Sequence, residues 1–246
     1  MNYIKDSLKR YVNSFKNKNI LVVSALNALF LIITIALIKL VQLISQPYIE
    51  KIDKIDLSSI VYQSEAQLQT IVNTLKGFAL FTVLTLVLFL LLLIINWSFC
   101  QGMIYHILSK RKFTFKYFEK FLLLNIIWFI PWLALSFIIL FGAKIDYFVA
   151  SFFTIILAFL HLSFVLYTLF VNKRLKKIIH LKIHFKISII RIYHFIIPYT
   201  LITITFFVIS QLNRLSLQYL ILTIIYILFF SWLQSYTRDV IINIKE

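Results

Sequence analysis

Six runs of about 20 apolar residues leave this chain one solvent in which it can fold. They fall at 20–45, 77–98, 121–142, 147–171, 193–211 and 217–236, rich in Leu, Ile and Phe nearly all the way round. Of the 246 residues 61% are hydrophobic, and the mean hydropathy is +0.93. A soluble domain is about half apolar, and a core of this size could not hide the surplus. A lone segment in lipid must satisfy its own backbone polar groups, so each run is predicted to be a helix. The fold class expected is all-α: a polytopic membrane bundle of six transmembrane helices, forming a single integral membrane domain over 1–246.

The connections predict orientation. Nineteen of the 25 Lys and Arg residues lie in the N-terminal segment, the second-to-third connection, the fourth-to-fifth connection and the C-terminal tail. The opposite connections hold five, and Lys39 lies within the first run, where its stem can snorkel. Basic connections stay in the cytoplasm, so both termini are expected there and the protein in the cytoplasmic membrane. The basic start "MNYIKDSLKRYVNSFKNKN" precedes an apolar run longer than the roughly 7–15 residues of a signal peptide, with no A-x-A site after it. A retained signal-anchor helix is expected. Segment 46–76 is nearly neutral, and Ile49, Ile52, Leu57, Ile60, Val61, Leu68, Ile71, Val72 and Leu75 approximate a helical stripe. It is expected to continue the first two helices outward or to lie on the outer surface.

The most basic stretch is "NKRLKKIIHLKIHFKISIIRIYHF", 172–195. On a helical wheel Lys173, Lys176, Lys177, His180, His184 and Arg191 share one face, opposite Leu175, Ile178, Ile179, Phe185 and Ile189, a face interrupted by Lys182 and Lys186. Residues 180–187 also alternate as a strand would, but beside a membrane an interfacial helix is the better reading. Lys173, Arg174, Lys176, Lys177, Lys182, Lys186 and Arg191 are the candidate contacts to anionic lipid headgroups, at about 1 kcal/mol each. A nucleic-acid grip is not needed, because the positive-inside rule already accounts for the charge. His180 and His184, at i and i+4, could make half a metal site, yet their neighbours are cations, so no metal site is expected and the two read as interfacial polar groups.

Reactive constellations are missing from the sequence. No Asp or Glu lies deep in a run, where proton and sodium carriers place one. There is no H-E-x-x-H and no glycine-rich phosphate loop, with Gly and Pro at three each. Cys100 is the single cysteine, which excludes an intramolecular disulfide. No catalytic residue and no cofactor is expected. The intramembrane candidates are His161, Asn125 and Pro131, alongside Asn27, Asn96, Ser24 and Thr34. His161 is expected to hydrogen-bond between helices. Pro131, flanked by Trp128 and Trp132 in "NIIWFIPWLAL", is expected to kink the third span, either packed against neighbours or opening a groove.

Three segments share a design: "SLKRYVNSFKNKNILVV", "SKRKFTFKYFEKFLLLN" and "IHFKISIIRIYHFIIPY". Each mixes cations and aromatics before a span that returns as a hairpin, which suggests an amphipathic helix plus two spans used three times. With "GMIYHILSKRKFTFKYF" after the second span and "KIHFKISI" before the fifth, the layout resembles prokaryotic six-span membrane proteins of the DUF4013 type. It is also similar to the membrane domain attached to some glycerophosphodiester phosphodiesterases. The resemblance implies a six-span bundle and no catalytic residues. The function expected is a non-enzymatic membrane-organising or partner-anchoring role. The alternative is a transporter component for an apolar or lipid-like substrate, docked on a cytoplasmic ATPase.

Overall fold

Every regular element in the computed structural model is helical, as lipid requires of isolated apolar segments. The structure describes residues 2–53, 65–110, 112–142, 145–172, 184–211 and 219–244. In chain order these are α1 (Asn2–Ser14), α2 (Ile20–Asp53), α3 (Glu65–Leu108), α4 (Phe115–Gly142), α5 (Ile145–Val171), a π-helical turn (Lys186–Ile190), α6 (Tyr193–Gln211) and α7 (Tyr219–Ile242). Helices α2 to α7 are each long and apolar enough to cross a membrane, and the chain is a multi-pass membrane protein.

Two of the six outrun the bilayer. At 1.5 Å per residue the 34 residues of α2 reach about 51 Å and the 44 of α3 about 66 Å, against about 30 Å of hydrocarbon. The stripe expected in 46–76 is therefore the continuation of both helices, through Pro47 in one and from Glu65 in the other; residues 54–64 lie outside the described residues. The turn between α3 and α4 is short and basic. Lys110 ends α3 at φ 54°, a left-handed conformation that usually falls to glycine. The Thr114 hydroxyl then accepts the Tyr117 N–H at 3.3 Å and caps α4.

A separate helix stands before the first hairpin, where α1 precedes α2. Ahead of the second hairpin, the cations and aromatics from Phe115 onward form the opening turns of α4 itself. The corresponding segment of the third, 173–183, lies outside the described residues.

The chain divides into two compact units. The smaller, Leu29–Trp97, pairs the middle of α2 with α3. Its sole cross-helix amide is Asn96 among the described residues, with Nδ2 donating to the Phe30 carbonyl at 3.1 Å and the Thr34 hydroxyl at 3.3 Å. The Tyr48 and Phe81 rings stack 4.0 Å apart toward its other end.

The larger unit comprises Met1–Ala28 and Ser98–Glu246. Here α7 packs on α1, α5 and α6, while α4 packs on α5. Its buried side chains gather in one layer: Val23 and Leu26 of α2, Cys100 to Leu108 of α3, Phe121 to Trp128 of α4, Phe164 to Val171 of α5, and Trp232 to Ile241 of α7. In every case these are the helix ends next to the basic segments. The opposite halves present Ile138, Phe141, Phe153, Phe207, Val208 and Leu220 outward. Lipid tails are as apolar as leucine, so those halves gain little from burial against protein, and association has to come from packing and interhelical hydrogen bonds.

Candidate functional site: a buried polar layer beneath basic helix ends

Polar side chains inside a bundle are costly unless paired, so their pairing decides which faces meet. In the larger unit they pair across helices. Asn27 Nδ2 of α2 donates to Ser231 Oγ and Gln234 Oε1 of α7, each at 2.9 Å. Gln234 Nε2 donates to Gln101 Oε1 of α3 at 2.9 Å. Asn125 of α4 is fully buried; its amide donates to Ser98 Oγ at 2.9 Å and its Oδ1 accepts the Tyr167 hydroxyl of α5. One layer of amides and hydroxyls thus ties α2, α3 and α7 together and joins α3, α4 and α5. The network rests on short polar side chains at helical spacing, as in "SWLQS" (231–235), where Ser231, Gln234 and Ser235 share a face.

A second cluster sits between α5 and the π-helical turn. His161 Nε2 meets the Ser188 carbonyl at 3.0 Å. A carbonyl can only accept, so Nε2 carries the proton; the bare Nδ1 of the neutral ring then accepts from the Tyr199 hydroxyl of α6. His161 therefore bridges two elements, the interhelical role expected of it, with the Phe195 ring set edge-on at 4.9 Å. The turn itself is marked by the Arg191 N–H reaching back to Lys186 O at 3.0 Å. Trp128 donates its Nε1–H to Ser163 Oγ at 2.9 Å.

His184 differs from its expected interfacial place. It is fully buried, donating Nε2–H to the Leu162 carbonyl at 2.9 Å, with Trp128 edge-on at 5.3 Å. Ile187 and Ser188 are buried with it, while Phe185, Ile189 and Ile190 face outward. Of the residues placed on the wheel, only His184, Phe185, Lys186, Ile189 and Arg191 are described, and helical rather than strand geometry holds from His184 onward. Its polar face turns to α5 because an imidazole donor is better matched by a helix carbonyl than by hydrocarbon.

Burial lowers the His184 pKa from its ordinary value; the bond to Leu162 opposes this and the neighbouring His161 adds to it. An unfolded imidazole titrates near about 6.5. Below that pH the unfolded state binds more protons than the native one, so stability present above it is lost as pH falls. Thermal unfolding in detergent should move to lower temperature between about pH 7 and pH 5, and His184→Phe should flatten that slope. An unchanged slope in the variant would assign the effect elsewhere.

The other candidates are dispersed. Pro131 lies within a continuous α4, is exposed, and lines neither described cavity. Lys186 is exposed and Arg191 half-buried at the two ends of the π-helical turn. Lys173, Arg174, Lys176, Lys177 and Lys182 lie outside the described residues. Asn27, Asn96 and Asn125 all carry interhelical bonds, whereas Ser24 bonds back to the Ile20 carbonyl of its own helix and Thr34, besides accepting from Asn96, bonds back to that of Phe30. Sequence reasoning missed Gln234 and Tyr167, which bond Asn27 and Asn125, Gln101, which bonds Gln234, and Tyr199, which bonds His161; none carries a charge to mark it.

Neither a family model, nor a curated protein, nor a solved structure matches this chain.

Proposed function

We propose that the chain is a non-enzymatic protein of the cytoplasmic membrane that anchors partners through a basic cytoplasmic face. Both termini lie on that side in this reading, because nineteen of the 25 cations belong to the connections there. The observation that carries it is the coincidence of the cross-helix polar layer with the helix ends that bear the cations. Hydrogen bonds among α2, α3, α4, α5 and α7 hold those ends in fixed register, while the opposite halves are left to lipid. A rigid, positively charged platform on a lipid-solvated base suits an acidic surface delivered to the membrane. His161 belongs to that scaffold.

Affinity purification of the tagged chain from native membranes in mild detergent, with mass spectrometry of what accompanies it, tests this reading. A stoichiometric acidic protein, lost when Lys173, Arg174, Lys176 and Lys177 become Gln, supports it. A stoichiometric ATPase would replace it with the transporter-component reading.

A further inference from the structure

The largest unit contains a groove of about 300 Å³ between the end of α1, α6 and α7, lined by Phe15, Ile20, Thr205, Ile209, Ile225 and Trp232. Its walls are apolar. The one hydroxyl among these, Thr205 Oγ1, already pairs with Tyr11 at 2.7 Å and with the Leu201 carbonyl at 2.8 Å. At one end Phe15 stacks on Trp232 at 4.9 Å. From Trp232 to Ile225 is two helical turns, about 10 Å along α7 toward the outward-facing apolar half.

That end is where the charge lies. Phe15 and Ile20 belong to "FKNKNI", the turn between α1 and α2, so two lining residues bracket Lys16 and Lys18. Both lysines are exposed, and there is no acidic residue between Asp6 and Glu50. Helix α1 carries Leu8 and Val12, continued by Phe15 just after it, on an exposed apolar stripe beside Lys5 and Lys9, the pattern of a helix lying in the interface. An apolar slot that begins at a dibasic turn and runs toward hydrocarbon matches a lipid in both charge and polarity order.

We infer that this groove holds one acyl chain of an anionic phospholipid, with the phosphate at Lys16 and Lys18. At about 300 Å³ the groove is at the small end of ligand sites, room for a stretch of one chain and not for two. The lysines act as point charges on the phosphate, and Phe15 lies over the start of the chain. This goes beyond the anchoring role and is independent of it, since it uses none of the residues in 173–182.

Trp232 makes the groove measurable. The full-length protein is placed in phosphatidylcholine nanodiscs doped with phosphatidylglycerol brominated on its acyl chains, or with equally brominated phosphatidylcholine. Tryptophan quenching is followed in wild type and in Trp232→Phe, whose difference isolates Trp232. Brominated phosphatidylglycerol should quench that component at a lower mole fraction than brominated phosphatidylcholine. Each of Lys16→Gln and Lys18→Gln should reduce the preference roughly fivefold. Ile209→Trp, which fills the slot, should abolish protection by added unbrominated phosphatidylglycerol of the remaining binding measured by native mass spectrometry. Equal quenching by the two lipids, or a preference that survives both lysine changes, overturns the inference. Because Lys16 and Lys18 are exposed, their replacement leaves the fold intact, and loss of an acidic protein partner is scored separately in the purification above.

Discussion

Trp232→Ala should free α1 from the bundle and cost about 3 kcal/mol, the low end of the range for removing a buried tryptophan. The indole is 3% exposed and makes three kinds of contact. Its Nε1–H donates to Ser14 Oγ at 2.7 Å, its ring stacks on Phe15 and on Tyr236 at 4.9 and 5.5 Å, and Tyr11 meets it edge-on at 5.4 Å. Three of those partners, Tyr11, Ser14 and Phe15, belong to α1 or follow it directly. The low end applies because lipid can enter the space vacated, replacing part of the lost dispersion, whereas a cavity in a water-soluble core stays empty. Limited trypsin digestion in nanodiscs reads the effect directly. Cleavage at Lys9, Arg10 and Lys16 should accelerate strongly in Trp232→Ala and little in Trp232→Phe, which keeps the stacking. Equal rates in wild type and Trp232→Ala would mean that α1 is held by other contacts.

Gly102→Leu should destabilise the larger unit by about 3 kcal/mol or more, whereas Gly102→Ala should change stability by less than about 1 kcal/mol. A Cβ at this position would meet Phe121 Cδ1 at 3.3 Å and Phe113 Cε2 at 3.4 Å. For alanine, the tight contact opposes a gain of about 0.8–1.0 kcal/mol from replacing glycine inside a helix, and a few tenths of an ångström of ring movement lets the two nearly cancel. Leucine adds three further carbons where Phe121 is already fully buried, so α3 and α4 must separate. Separation would also stretch the Asn125–Ser98 bond one turn away. Unfolding titrations in mixed micelles should place alanine near wild type and leucine far below it. The reverse order would show that the aromatic wall yields.

These effects separate two levels of information. The six spans were legible because a bilayer imposes a length and a polarity on every crossing segment, and the runs at 20–45 to 217–236 meet both without reference to one another. Their ends were less so: α2 runs on to Asp53 and α7 to Ile242, since helix propensity does not stop where hydrophobicity does. Asn125 and His161 stood out as polar groups in apolar runs, which is a local signal. Their partners did not, because Ser98, Tyr167, Ser188 and Tyr199 become partners only when helices far apart in sequence lie side by side.

His184 marks the boundary most clearly. Its chemistry as a neutral or charged imidazole is written in the chain, and so is its place on the polar face of its segment. Whether that face meets lipid headgroups or the Leu162 carbonyl depends on where α5 lies. Hydropathy and charge belong to each residue alone and act through the solvent, so the sequence by itself determined the all-helical class and the number of apolar spans. Hydrogen bonds, ring contacts and cavities are short-ranged and act between residues. Only the tertiary structure decided that the polar side chains pair in one layer at the basic ends, and that Phe15, Ile209 and Trp232 enclose a groove beside Lys16 and Lys18.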